Sequence, residues 1–176
     1  RSHLGIARTF QITSIFHEFT ALENVALAVQ AHDSHSFHFW RPVKKDAKLR
    51  TPAQAALDLV GLGGRANVMA SNLSHGEHRQ LEIAMALATK PKLLLLDEPM
   101  AGMGAEETLR IVKILKSLKG EQTILLIEHD MDAVFALADQ ITVLVYGSVI
   151  ASGTEDEIRG DQAVKLAYLG EEGAAF

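Results

Sequence analysis

The sequence contains no cysteine and no long apolar run. Without cysteine among its 176 residues, it can form neither disulfides nor thiolate metal sites, which suits a reducing cytosol. No apolar stretch approaches the roughly 18 residues of a membrane span, and the first residues do not have the pattern of a signal peptide. We therefore expect any contact with a membrane to be made through a partner.

Excess positive charge is also absent. The net charge of -5 at pH 7 and the pI near 5.9 give no bulk attraction toward nucleic acid or an anionic membrane surface, so we expect no nucleic-acid partner. The content of hydrophobic residues, 48%, is enough for one sizeable core in a chain of 176 residues. One globular domain is the simplest expectation.

Helix signals recur along the chain. The spacing of Ser or Thr followed three residues later by Glu or Gln is a capping box, and it occurs at residues 20–23, 51–54, 74–77 and 154–157. Apolar residues at helical spacing predict helices over residues 21–31, from Pro52 to about Gly61, over residues 75–89 and over residues 107–119. The polar residues 32–50 are interpreted as a surface excursion.

Strand signals alternate with these helices. Residues 6–11 are compatible with a short strand, and residues 92–97 and 122–127 are apolar runs typical of strands buried on both faces. A helix between consecutive strands predicts parallel pairing, whereas residues 141–146 and 148–151 predict a hairpin about Gly147. The fold class is therefore α/β, with a mainly helical insertion between the strands at Ile6 and Lys92.

Two adjacent acids follow the predicted strand at residues 92–97. In open parallel sheets ligands bind beyond the carboxyl ends of the strands, where Asp97 and Glu98 would lie. Successive side chains point in different directions, so Asp97 can hold Mg²⁺ while Glu98 orients an attacking water. The alternative is that two acids simply end a strand in solvent.

A candidate anion site precedes this strand. The predicted helix start at Ser74 offers free N–H groups and a partial positive charge, and Gly76 allows a phosphate to approach the backbone. The alternative is that Ser74 and Glu77 only cap the helix. His129 follows the next predicted strand, so its imidazole could reach the same region and donate to a phosphate oxygen.

Five short motifs occur in a familiar order: IARTFQ ending at Gln11, LSHGE at residues 73–77, LLLLDEP at residues 93–99, AGMG at residues 101–104 and IEHDM at residues 127–131. They resemble the Q-loop, signature, Walker B segment, D-loop and switch histidine of the ATPase subunits of ABC transporters. Within that family, GIARTFQ, TALENV, QLEIAMALA, LLIEHDMDAV, GTEDEI and AYLGE are similar to the ATPases of branched-chain amino acid importers.

The resemblance implies an architecture and partners. The chain would be the C-terminal part of a P-loop NTPase (RecA-like) parallel-sheet core, formed by residues 5–11 and 91–153. The ABC helical subdomain would be inserted at residues 12–90, and helices would end the chain at residues 154–176. A second ATPase subunit and transmembrane permease subunits would be the partners. The protein would be cytoplasmic, peripheral on the inner face of the cell membrane.

The resemblance also implies roles in binding ATP and Mg²⁺. Glu98 would be the general base, His129 would sense the γ-phosphate, and Asp97 would support Mg²⁺. Gln11 would contact Mg²⁺ as well and would link it and the attacking water to the membrane subunit. The signature and D-loop would meet ATP across a dimer interface through Ser74, His75, Gly76, Glu77 and Gly104. Aromatic residues near the start of the insertion, Phe16 and Phe19 with His17, would dock on the permease, or would pack in the core instead.

The sequence departs from the family pattern. No stretch matches the phosphate-loop motif G-x-x-x-x-G-K-[ST], and no Gly-Lys pair occurs. We therefore expect these residues to be part of a longer domain and not to hydrolyse ATP alone. His75, Glu77 and Gly104 replace glycine, glutamine and aspartate of the common motifs. Two other functions stay open: a soluble ABC ATPase of another process, and a non-catalytic, partner-binding fragment.

Overall fold

The computed structural model describes residues 5–8, 15–32 and 46–169. Gln11, and with it the end of the predicted first strand, lies outside the described residues. The chain divides into two compact units, Arg1–Glu128 and His129–Phe176. Each unit has its own architecture.

A parallel sheet forms the centre of the first unit. Its described strands are β1 (Ile6–Arg8), β2 (Leu93–Asp97) and β3 (Thr123–Ile127), with β2 in the middle. Ile6 pairs with Leu93, and Asp97 pairs with Ile127. The predicted α/β class and the parallel pairing are confirmed.

The burial of the strands differs from the prediction. In β2, Leu94 and Leu96 are fully buried, and the alternate residues Leu93, Leu95 and Asp97 are half-buried. In β3, however, Leu125 and Ile127 are 50% and 49% exposed, so this strand is not buried on both faces. An apolar run in the sequence shows that a strand is hydrophobic, but it does not show which elements pack against the strand. The described residues of this unit leave one face of β3 uncovered.

Three helices pack on one another between β1 and β2. They are α1 (Ala21–His32), α2 (Ala47–Leu59) and α3 (His75–Ala88), and two short 3₁₀ turns, Gly63–Arg65 and Ala70–Asn72, lie between α2 and α3. Their shared core is apolar and includes Leu22, Val25, Leu57, Leu62 and Leu81. The capping boxes predicted at the starts of α1 and α3 are both present.

The prediction for α2 was wrong about where the helix begins. It starts at Ala47, because the Asp46 carboxylate accepts a hydrogen bond from the Lys48 N–H and caps the helix earlier. Pro52 therefore lies inside the helix and not at its first position, and residues 46–50 are not part of a surface excursion. The helix ends at Leu59, close to the predicted stop at Gly61.

The segment before α1 is held by a buried amide. The Asn24 side chain donates to the carbonyls of Phe16 and Thr20, each at 3.0 Å, and accepts from the Phe16 N–H at 2.8 Å. Asn24 is fully buried, whereas Phe16 and Phe19 are 55% and 39% exposed, with ring centroids 5.4 Å apart. The amide thus fixes a turn that presents two aromatic rings to solvent.

The last helix of this unit is α4 (Ala105–Leu118), which lies between β2 and β3 in the chain. It begins two residues before the predicted position. Its buried stripe has helical spacing, as predicted, and consists of Ile111, Val112, Leu115 and Leu118.

The second unit contains α5 (Met131–Leu137), β4 (Ile141–Val145), β5 (Ser148–Gly153), α6 (Glu155–Gly160) and α7 (Gln162–Leu169). The antiparallel β4–β5 hairpin is confirmed. Its core is formed by Phe135, Ile141, Ile158 and Val164. The sequence interpretation missed α5, although Asp130 caps it by accepting from the Ala133 N–H. In the described part of the chain, no helix is long and apolar enough to span a membrane.

Candidate functional site

The carboxyl edge of the parallel sheet carries Asp97. It is the last residue of β2, and its carboxylate forms an ion pair with Arg8 at the end of β1, with 3.0 Å between Oδ2 and Nη2. The two side chains are 26% and 50% exposed, so water reaches the pair and its net contribution to stability is small. Sequence reasoning missed Arg8, whose position is apparent only once β1 is placed beside β2.

Glu98 has an unusual backbone conformation. Its φ of +45° lies in the left-handed region, and Pro99 follows it directly. For a residue other than glycine such a conformation costs about 1–3 kcal/mol, so the surroundings must hold it. The Glu98 N–H donates to the Ile127 carbonyl at 2.9 Å, and the Glu98 carbonyl accepts from the Ala101 N–H at 3.2 Å. The chain therefore turns sharply at Glu98, which changes the direction of the side chain relative to Asp97.

A third acid binds the segment after Glu98. Glu128 follows β3, and its Oε1 accepts from the Met100 N–H at 2.9 Å. Met100 is buried, so this N–H has limited access to water. Sequence reasoning did not identify Glu128. The available signal was an acid directly after a strand, next to the candidate His129.

The start of α3 is a complete capping box. The Ser74 hydroxyl accepts from the Glu77 N–H at 3.2 Å, and the Ser74 N–H donates to Glu77 Oε2 at 2.8 Å. Glu77 also pairs with Arg65, with 3.0 Å between Oε1 and Nε. The Glu77 carboxylate is therefore engaged by the Ser74 N–H and by Arg65, both close to it in the chain. The earlier N–H groups of the first turn have no carbonyl acceptor within the helix, so they are suited to bind an anion.

Gly76 allows a close approach between two helices. A Cβ atom at this position would lie 2.7 Å from Oε1 of Glu107 in α4, so a larger residue would displace that side chain. His75 is exposed and lies near Gly102, where an added Cβ would be 3.9 Å from its Cε1. The signature segment and the segment after Glu98 are therefore neighbours in one chain.

Gly104 is the N-cap residue of α4 and provides no side-chain cap. Its carbonyl accepts from the Thr108 N–H at 3.0 Å. The aspartate that is common at this position would offer a carboxylate to the first turn of the helix, so the glycine removes one capping bond.

The predicted site residues thus fall into three groups. Asp97, Glu98 and the signature residues belong to the first unit, where the acids lie at the carboxyl edge of the sheet. His129 is exposed, belongs to the second unit and directly follows Glu128 in the chain. Gln11 lies outside the described residues.

The described residues do not form a metal cage. In the part of the chain that the structure describes, no group of three or more His, Cys, Asp or Glu side chains could hold a metal ion. Asp97 by itself is a hard oxygen donor at a partly exposed position. This fits Mg²⁺, which proteins commonly hold with one or two carboxylates while substrate phosphates supply further ligands.

Three parallel strands, with a helix between the second and third in the chain and adjacent acids at the end of the central strand, are typical of the RecA-like core of P-loop NTPases. The family model described as "ABC transporter" matches residues 1–101, and the one described as "Branched-chain amino acid ATP-binding cassette transporter" matches residues 148–174. The chain belongs to the ABC transporter family, whose ATPase subunits bind nucleotide and couple ATP hydrolysis to transport.

Individual relatives agree with this assignment. The high-affinity branched-chain amino acid transport ATP-binding protein LivG of Salmonella typhimurium is 39% identical over 179 residues, which cover 97% of this chain and 69% of LivG. The protein of the same description in Pseudomonas aeruginosa, BraF, is 39% identical over 174 residues, covering 95% of this chain and 68% of BraF.

Solved structures share the fold. The ADP conformation of MJ1267, an ATP-binding cassette of an ABC transporter, superposes with a TM-score of 0.78 at 31% identity, covering 96% of this chain and 70% of that one. A dimeric post-hydrolysis state of the cassette MJ0796, bound to ADP and Pi, gives a TM-score of 0.67 at 27% identity. That match covers 85% of this chain and 62% of the other.

Proposed function

We propose that this chain is part of the ATPase subunit that energises an importer of branched-chain amino acids. The substrate class is inferred from the names of LivG and BraF and from the family match at residues 148–174. No residue of an ATPase subunit needs to touch the transported molecule, so the substrate is supported by relatedness alone.

The observation that carries the catalytic proposal is the placement of Asp97 and Glu98. They lie at the carboxyl edge of three parallel strands, and Glu98 is held in a left-handed conformation by hydrogen bonds on both sides. Asp97 would hold Mg²⁺, which supplies positive charge to the phosphate oxygens. Glu98 would orient the attacking water and take its proton.

The remaining phosphate contacts would form between two copies. Ser74, His75 and Gly76 begin a helix whose free N–H groups suit the γ-phosphate of ATP held by a second ATPase subunit, with Glu77 as their cap and Gly104 nearby. The dimeric state of the similar cassette MJ0796 supports this arrangement. His129 would sense the γ-phosphate, and Gln11 would link the bound Mg²⁺ to the permease.

The permease would dock on the exposed turn before α1. Phe16 and Phe19 present their rings to solvent, and the buried Asn24 holds their backbone in place. Exposed aromatic residues on a fixed turn are typical of a protein interface, which favours docking over core packing. The protein would then be peripheral at the cytoplasmic face of the membrane.

The test of the catalytic proposal is Glu98→Gln in the full-length gene product. We expect ATP turnover to fall about 10²- to 10⁴-fold while ATP binding is retained, because the amide cannot take a proton from water. Glu121→Gln, an exposed acid just before β3, is the matched control and should leave turnover unchanged. Normal turnover in Glu98→Gln would disprove the role of Glu98.

A pull-down with the permease separates the competing functions. Copurification with membrane subunits and loss of branched-chain amino acid uptake in Glu98→Gln support the importer. Retention on nucleic acid that is lost at higher salt would support a soluble ABC ATPase of another process. Permease binding with unchanged uptake in Glu98→Gln would support a non-catalytic, partner-binding role.

A further inference from the structure

The tripeptide Glu98–Pro99–Met100 has two backbone N–H groups, because proline has none. Both donate to consecutive residues at the end of β3. The Glu98 N–H binds the Ile127 carbonyl, and the Met100 N–H binds the Glu128 carboxylate, each at 2.9 Å. The segment that carries the candidate general base is thus tied to one dipeptide of the neighbouring strand.

The two bonds differ in origin. The first uses a backbone carbonyl, which any residue at position 127 would supply. The second depends on the side chain of Glu128, which reaches a residue 28 positions away in the chain. Met100 is 6% exposed, so without this carboxylate its N–H would be a buried donor with little access to water.

This side-chain bond has a structural consequence for Glu98. A left-handed residue before proline persists only when its neighbours hold it on both sides. The N–H side of Glu98 is fixed by Ile127, and the segment after it is fixed at Met100 by Glu128. The Glu98 carbonyl also accepts from the Ala101 N–H at 3.2 Å, which closes the turn that contains Met100. Loss of the Glu128 bond would release Met100 inside this turn and allow the direction of the Glu98 carboxylate to change.

We infer that Glu128 is a positioning residue, which holds the Glu98 carboxylate in its working direction through the Met100 N–H. This inference rests on the proposed role of Glu98 as general base.

The first readout is hydrogen exchange at the Met100 amide in the full-length gene product. Glu128→Ala removes the acceptor and should speed exchange at this amide at least about 10-fold. Glu128→Gln keeps an acceptor oxygen at the same reach and should retain protection. Glu128→Asp keeps the charge but is shorter by one methylene, so it should lose protection with less disturbance of the fold. Glu121→Ala is the matched control.

The second readout is steady-state ATP turnover of the same variants. A misdirected base should lower kcat about 10- to 100-fold in Glu128→Ala and Glu128→Asp, with KM for ATP unchanged within about 2-fold. Glu128→Gln should restore kcat, because the bond needs an acceptor and not a charge. A role in folding alone would not produce this separation of kcat from KM with rescue by glutamine.

The outcomes are distinguishable. Unchanged exchange at Met100 in both Glu128→Ala and Glu128→Asp would overturn the inference, as would faster exchange with normal kcat. If Glu98→Gln is inactive while Glu128→Ala and Glu128→Asp turn over normally, only the inference on Glu128 fails. If Glu98→Gln itself turns over normally, the proposed catalytic role fails and this inference with it.

Discussion

At the scale of single residues, the carboxylate of Glu82 in α3 is the most perturbed buried acid of the described chain. It pairs with Arg79 at 2.8 Å, and the two side chains are only 8% and 10% exposed. Glu82 Oε1 is buried without a hydrogen-bond partner. Burial raises the pKa of Glu82, and the charge and hydrogen bond of Arg79 lower it by less. His75 and His78 also favour the charged form.

The raised pKa of Glu82 predicts a pH dependence of stability. The folded chain holds this proton more tightly than the unfolded chain, so the contribution of Glu82 to the free energy of unfolding is greatest at low pH. It falls as pH rises from the ordinary glutamate pKa through the raised one. Urea unfolding of wild type and Glu82→Gln between pH 4 and pH 7 checks this, because the glutamine variant lacks the titration.

The expected sign is that the wild type loses stability relative to Glu82→Gln as pH increases. Glu121→Gln, which removes an exposed acid, should show no such trend. A relative stability that rises with pH would mean that the Arg79 ion pair outweighs burial, and that the pKa of Glu82 is lowered in the folded chain.

At the scale of elements, α4 starts without a side-chain cap. Gly104 has φ -74° and ψ 163°, extended angles that any residue adopts, and an added Cβ would meet no atom within 4 Å. Asparagine could therefore accept a hydrogen bond from the first turn without strain. Asparagine suits this position better than aspartate, because Glu106 and Glu107 already place negative charge in the first turn.

We expect Gly104→Asn to raise the free energy of unfolding by about 0.3–0.5 kcal/mol, the few tenths by which asparagine exceeds glycine as a cap. Gly120→Asn is the matched control, and it should lower the free energy of unfolding. Its φ of +90° suits glycine, and the substitution should cost about 1 kcal/mol. Urea denaturation of both variants measures the difference. Destabilisation by Gly104→Asn would show that the N-cap of α4 needs glycine for another reason.

At the scale of the whole molecule, the features set by neighbouring residues and by chain order could be predicted from the sequence, whereas contacts between distant residues could not. The capping boxes at Thr20 and Ser74 and the parallel order of β1, β2 and β3 could be predicted because propensity and chain order determine them. Asp97 and Glu98 could be placed at the sheet edge by the same logic. The pairs Arg8–Asp97 and Glu128–Met100 could not, since each joins residues far apart in sequence. The exposure of β3 depends on which elements pack against it, and the hydrophobicity of the strand does not reveal those elements.

The 176 residues by themselves lack most of the contacts that hold ATP phosphates. ATP is held in P-loop NTPases mainly by a nest of backbone amides and a lysine, and the sequence has no match to G-x-x-x-x-G-K-[ST]. Asp97 and the start of α3 supply only part of the required contacts. Calorimetric titration of the isolated 176-residue chain with Mg²⁺-ATP should therefore detect no binding tighter than a Kd of about 1 mM. The full-length gene product is the comparison.

Micromolar binding to the 176 residues would mean that a phosphate site lies among residues with other assigned roles. Asp97→Ala and Gly76→Ala would then identify whether the acids or the signature helix form that site.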